Sequence, residues 1–245
     1  MRASIRYCSL SIASPSGQAL VGQRWALGAQ RSEGTVSITA VVCDLADVLL
    51  EFGGVASVSR LSHGRIGAAE FGRLWQSHAA DRLYRGLCTP DEFAAAAVAE
   101  LSLPAAPGAF LEEFRTWLRG PYPGAFELLA EVRTRVVVAC LSNTNALDVA
   151  RFRDEFALGR RFDHCFFSNE IGLRKPEREC YDHVLARLGL SADPERAVFF
   201  DDSLSCVEGA RAVGMRAYQA SSVAGIRGHL VALGVLPGDS HAPGV

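Results

Sequence analysis

Four apolar, β-branched runs punctuate this 245-residue chain, and each gives way to polar residues at its carboxyl end. They are Val36–Asp44, continuing into Val48-Leu49-Leu50, then Arg135–Leu141, His164–Phe167 and Ala197–Phe200. A half-solvated strand would alternate apolar and polar residues. Near-continuous apolar runs suit strands buried on both faces, as in a parallel sheet covered by helices. Helical periodicity lies between the last three runs, over Ala146–Phe156 and Glu177–Leu188, with Gly189 placed to cap the latter. The alternation predicts an open α/β sheet.

The segment between the first two runs carries no strand signal and reads as helices. Phe71, Leu74, Trp75 and His78 share a face of the first. Thr89-Pro90-Asp91-Glu92 starts a second, with Thr as cap, Pro in the first turn and acids at the positive end. Phe110, Phe114, Trp117 and Leu118 mark a third. Gly120-Pro121-Tyr122-Pro123-Gly124 then returns the chain to the sheet. The expected division is a Rossmann-like sheet core over 36–53 and 122–236, an all-helical cap over 54–121, a disordered extension over 1–35 and a frayed tail over 237–245. Trp75, Phe71 and Tyr84 belong either to the cap's own core or to the mouth of a site beneath it.

Composition removes several classes of partner. The net charge is −2 with no basic stripe, which argues against nucleic acid and anionic membrane. No apolar run reaches the roughly 18 residues of a membrane helix. The seven cysteines are scattered without a C-x-x-C pair, which leaves zinc unsupported and favours a reduced, cytoplasmic setting. The six histidines show no ligand spacing. Oligomeric state leaves no signature in the sequence.

In an open α/β sheet, ligands collect at the carboxyl ends of the strands. Those ends carry Asp44, then Ser142-Asn143-Thr144-Asn145, then a loop with Lys175, then Asp201-Asp202. Taken singly, each is an ordinary turn or helix cap. Together they would place three carboxylates in one crevice, where mutual repulsion demands a counter-charge. Few, hard oxygen ligands with room for water favour Mg²⁺. Lys175 adds the remaining positive charge, and it is the one lysine among 25 Lys and Arg residues. An ammonium is a compact point charge that a guanidinium does not replace. Mg²⁺, an ammonium, Ser and Asn donors and a spare carboxylate fit phosphoryl transfer with Asp44 as nucleophile.

The order and spacing of these motifs, over about Val41–Tyr218, resemble the haloacid dehalogenase-like hydrolases. Cys43–Leu49 resembles the first motif, Leu141–Asn145 the second, Gly172–Pro176 the third and Phe199–Ser203 the fourth. The resemblance implies a Rossmann-like parallel sheet with an inserted helical cap, closest to the sugar-phosphate phosphatase and epoxide-hydrolase amino-domain branch. It implies an Asp44 nucleophile, phosphate held by Ser142, Asn143 and Lys175, and metal held by Asp44, the Ala46 carbonyl, Asp201 and Asp202. The substrate implied is a small-molecule phosphate ester.

Two positions depart from the pattern. Phosphatases of this group usually carry a second Asp, as general acid and base, where this chain has Ala46. Asp47 is the neighbouring substitute, acting through water. Cys206 stands where the fourth motif often has Asn or Asp. The leading expectation is a Mg²⁺-dependent phosphatase of a small phosphorylated metabolite, sugar phosphates included. The rivals are a metal-independent 2-haloacid dehalogenase, which also lacks the second Asp, and a catalytically weak binding or regulatory protein.

Overall fold

The computed structural model describes residues 36–238. The expected extension over 1–35 and all but the start of the expected tail lie outside the described residues. Five strands form one parallel sheet: β1 (Ala40–Cys43), β4 (Val137–Ser142), β5 (His164–Phe167), β6 (Ala197–Asp201) and β7 (Arg216–Gln219), in the order β5-β4-β1-β6-β7. Four of them come from the four apolar runs. The fifth, β7, was not expected, because Arg-Ala-Tyr-Gln at a half-buried sheet edge has no apolar run to show.

Successive side chains of a strand face opposite ways, and the core divides accordingly. Val41, Cys43, Val138, Cys140, Val198 and Phe200 pack on one face against α6 (Ala125–Arg133), α7 (Ala146–Asp154) and α11 (Val223–Ala232). Val42, Ala139, Leu141 and Phe199 pack on the other against α9 (Arg178–Leu188) and α10 (Leu204–Ala212). Every residue of β1 and β6 is buried, which is why both read as unbroken apolar runs. Gly189 ends α9 in the left-handed region at φ 72, as its position implied.

The segment after β1 leaves through a short strand, β2 (Leu50–Phe52), and returns through β3 (Leu118–Pro121), which pairs with it antiparallel. Between them lie five helices rather than three: α1 (Gly54–Leu61), α2 (Ala68–Leu74), α3 (His78–Tyr84), α4 (Pro90–Glu100) and α5 (Pro107–Phe114). The face drawn through Phe71, Leu74, Trp75 and His78 belongs to two helices. Ser77 interrupts it, its hydroxyl accepting from Ala80 N at 3.2 Å and so starting α3. The helix expected through Leu118 stops at Phe114 and yields to β3. The expected start of α4 is present: Thr89 accepts from Glu92 N at 3.2 Å, and Glu92 accepts from Thr89 N at 2.8 Å. One aromatic cluster fills this layer, with Trp117 edge-on to Phe114 at 4.9 Å and to Phe71 at 5.3 Å. Gly54 is required there, since a Cβ would lie 2.6 Å from the Phe71 ring.

Register delivers the site. Cys43 of β1 pairs with Phe200 of β6 and with Cys140 of β4. Asp44 and Asp201, each one residue further on, therefore leave the sheet at one level. The loop from β5, through the short helix α8 (Ser168–Ile171), brings Lys175 to the same edge.

Candidate active site

Lys175 is 2% exposed. Its ammonium lies 2.7 Å from Asp44 Oδ1 and 2.7 Å from Asp201 Oδ2. Burial works to lower its pKa, but Asp201 and Asp44 outweigh that and hold it well above the ordinary lysine value. The other Asp201 oxygen accepts from Ser203 N at 2.8 Å, so both oxygens of this carboxylate are engaged. Asp44 N donates to Phe200 O at 2.8 Å, tying the nucleophile position to β6. Burial pushes the Asp44 carboxyl up to about 7, with Lys175 pulling it down and Asp201 pushing it further up.

One oxygen each of Asp44, Asp201 and Asp202 fall within 4.8 Å of one another. A single ammonium leaves this trio short of positive charge. Burial raises the pKa of Asp202, and the neighbouring Asp201 raises it again. Hard carboxylate oxygens at this spacing, with a cavity above them for water or substrate, fit a small divalent cation. The Ala46 carbonyl accepts no hydrogen bond from the described residues, and Ala46 lines the same cavity.

The second motif carries a contact that the sequence did not show. Asn143 was expected to hold phosphate oxygens. Asn143 lines the cavity, and its side chain also holds the Lys175 backbone: Oδ1 accepts from Lys175 N at 2.9 Å, and Nδ2 donates to Lys175 O at 2.9 Å. A carboxamide matches both a donor and an acceptor of one peptide segment, so Asn143 places the lysine. Helix capping falls to Asn145, whose Oδ1 accepts from Leu147 N and Asp148 N at 2.9 and 3.2 Å. That leaves Ser142 buried on the cavity wall with no capping duty.

Asp47 lies at the rim with φ 57. Its Oδ1 is 3.5 Å from the Tyr122 hydroxyl, and burial raises its pKa. Cys206 is buried on the wall, its thiol pushed up to about 11 by desolvation. It is not needed as a counter-ion for Lys175, which already has two carboxylates.

The cavity is about 510 Å³. Its wall includes Thr144, named in the second motif without a role, whose buried hydroxyl has no partner among the described residues, and Asp148, which the sequence reading did not single out. Asp148 Oδ2 accepts from Asn145 Nδ2 at 2.7 Å, and burial pushes its carboxyl up to about 6. Three residues after a capping Asn, it reads in sequence as an ordinary first-turn acid. Trp75 and Tyr84 serve both of the roles weighed for them. They stack on each other at 5.5 Å within the cap and also face the cavity. Phe71 is buried in the cap alone.

An ion-pair network joins the cap to the Lys175 loop. Arg174 donates to Asp81 at 3.1 Å and lies 5.3 Å from the Tyr84 ring centre. Arg85 donates to Gly172 O at 3.1 Å, to Asp81 at 3.0 Å, and to Glu177. Adjacent cations thus have separate tasks, Arg174 on the cap and Lys175 in the crevice.

Residues 38–214 match the family description "haloacid dehalogenase-like hydrolase". A sesquiterpene phosphatase of Aspergillus oryzae is 28% identical over 177 residues, covering 72% of this chain and 86% of that protein. A phosphorylated carbohydrates phosphatase of Thermotoga maritima is 33% identical over 94 residues, covering 38% of this chain and 43% of that protein. A Bacteroides thetaiotaomicron enzyme of the same family, solved with magnesium and inorganic phosphate, superposes with a TM-score of 0.61 at 22% identity. That match covers 75% of this chain and 94% of the other. Among the described residues, no helix is long and apolar enough to cross a membrane.

Proposed function

The chain belongs to the haloacid dehalogenase-like hydrolase family, and we propose that it is a Mg²⁺-dependent phosphatase of a small phosphorylated metabolite. The observation that carries this reading is the Lys175 ammonium, 2.7 Å from both Asp44 and Asp201, beside a third carboxylate that it cannot neutralise. A metal-independent dehalogenase would have no use for that third acid. The phosphatases named among its relatives support the same reading, as does the neighbour solved with magnesium and phosphate.

Asp44, the Ala46 carbonyl, Asp201 and Asp202 would hold Mg²⁺, which supplies charge neutralisation at the phosphoryl oxygens. Ser142 and Lys175 hold those oxygens, and Asn143 keeps Lys175 in place. An Asp44 oxygen attacks phosphorus, the ester P–O bond breaks, and the departing oxygen takes a proton from water. A second water then attacks the aspartyl-phosphate at phosphorus. The bond to Asp44 breaks, phosphate leaves, and the water's proton passes to Asp47 through solvent. Ala46 offers no acid to the leaving group. Such help is typically worth ~10²–10⁴-fold, so turnover of alkyl phosphates is slow. In this reading residues 54–121 cap a core of 36–53 and 122–236, and the protein works in the cytoplasm.

The test is phosphate release from a panel of phosphorylated metabolites, with Mg²⁺ and with chelator, using Asp44→Asn as the blank. Release that needs both Mg²⁺ and Asp44 is expected. Release that survives chelation, or survives Asp44→Asn, would overturn the assignment.

A further inference from the structure

The floor of the cavity fixes a phosphate. The rest of its lining determines what the phosphate may be attached to, and most of its large side chains are aromatic or aliphatic. Phe52, Trp75, Tyr84, Phe114, Leu118 and Phe152 line the cavity beyond the carboxylates. Of the polar groups among them, the Thr144 hydroxyl is buried without a partner among the described residues, while Ser203 and Ser205 bond each other at 3.0 Å. Arg174 is bound to Asp81 at 3.1 Å and to Trp75 O at 3.4 Å. Asp148 is bound to Asn145 at 2.7 Å. From the cap itself only Gln76 contributes an amide, and Gln76 is exposed. Gly72 adds a notch in the wall: a Cβ built there meets nothing within 4 Å.

A sugar brings several hydroxyls, each hydrogen-bonded in water, and each must find a partner or be desolvated at a cost. The Thr144 and Tyr84 hydroxyls and the exposed Gln76 amide are few partners for the several hydroxyls of a polyol. A hydrocarbon body loses nothing there and gains by burial. A cavity of about 510 Å³ lies within the ~300–1,000 Å³ range of small-molecule sites. We infer that the substrate is the phosphate monoester of an apolar alcohol, cyclic or branched, and not a sugar phosphate. The inference rests on the phosphatase reading and deepens it.

Cyclohexylmethyl phosphate and glucose 6-phosphate provide the test. Both attach a six-membered ring to a primary phosphate through one carbon, so leaving-group chemistry is nearly matched and the hydroxyls make the difference. A kcat/KM about 10²-fold higher for the cyclohexylmethyl ester is expected, the size of discrimination an apolar pocket achieves against added hydroxyls. Equal values, or a preference for the sugar, would overturn the inference. Acetyl phosphate, which has almost no body, reports the phosphatase reading separately: Mg²⁺- and Asp44-dependent hydrolysis of it leaves the two questions distinct. If acetyl phosphate is not hydrolysed at all, the phosphatase reading fails. The pocket is then decided by binding, with cyclohexylmethylphosphonate raising the melting temperature more than glucose 6-phosphate if the wall selects hydrocarbon, and no more than it if not. Gly72→Leu fills the notch, and its loss in kcat/KM grows from acetyl phosphate to cyclohexylmethyl phosphate. A loss equal for both esters would contradict the placement of the apolar body against α2.

Discussion

The floor and the roof of the cavity are built on opposite physical terms. On the floor, Asp44, Asp201, Asp202 and Lys175 crowd charge into a space where Lys175 is 2% exposed. The carboxylates come from two strand ends, whose spacing is set by sheet register, and the ammonium comes from one loop. On the roof, Trp75 and Tyr84 stack at 5.5 Å and Phe52 lies edge-on to Trp117 at 5.9 Å. Their positions are set by side-chain packing within the cap. A charged floor tolerates almost no substitution, because each group balances another. An aromatic roof tolerates volume-conserving change and answers mainly to shape. On the proposed reading, chemistry belongs to the first surface and selection to the second, and the predictions separate them.

The largest effect should come from Lys175→Met. The ammonium is the partner of two buried carboxylates at 2.7 Å. Removing it strands both, and breaking a buried pair typically costs ~3–5 kcal/mol. Removing one preorganised donor at a developing charge typically costs ~10²–10³ in rate, so phosphate release falls at least that far. Denaturant unfolding and phosphate release check the two parts. Lys175→Arg should rescue neither, because the rigid fork does not fit a site for a point charge. Were Lys175→Met as stable as the parent, the ammonium would not be what offsets the Asp44 and Asp201 carboxylates.

Next comes Ala46→Asp. Ala46 is half-buried on the floor, beside Asp44 and Asp202 in the cavity wall. A carboxyl there would supply the leaving-group proton that the wild type lacks. A gain of about 10–100-fold is expected for an alkyl phosphate, at the low end of general-acid effects, with little change for acetyl phosphate, whose leaving group needs no proton. Steady-state rates on the two esters distinguish them. Equal gains on both would mean the substitution acts on binding and not on proton transfer.

The same contrast explains what the sequence disclosed. The floor was legible because sheet geometry is indexed: a residue one past a buried run must emerge at the strand end. Asp44, Ser142 and Asp201 could therefore be placed from their runs alone, and Lys175 from its loop. The roof was not indexed in that way. Ser77 divides a face that periodicity had joined, and Trp117 enters the cap core from outside any helix. β7 was missed because a half-buried edge strand has no apolar run. Asn143 shows a subtler limit. Its presence in the crevice was readable, but the use of both its amide atoms on the Lys175 backbone depends on how two loops meet.

The smallest effect concerns the seam between the two surfaces. Asp148 and Asp201 are the same residue type in one cavity. Asp201 has an ammonium at 2.7 Å, while Asp148 has only the Asn145 carboxamide at 2.7 Å. Burial accordingly lifts the Asp148 carboxyl to about 6, with Asn145 and Arg151 offsetting only part of it. An unfolded aspartate titrates near ~3.9. Between those values the native state binds more protons than the unfolded state, so stability falls as pH rises. The stability tied to the protonated form is fully present below ~4 and is lost as pH rises through about 6. Asp148→Asn removes the ionisable group but keeps an oxygen for Asn145 Nδ2. The variant should therefore be more stable than the parent at pH 7.5, by on the order of 1 kcal/mol for a half-buried group, and no different at pH 4. Chemical denaturation at both pH values measures it. If the variant is instead the less stable at pH 7.5, the charge is being held by the amino end of α7, and the seam belongs electrostatically to the floor.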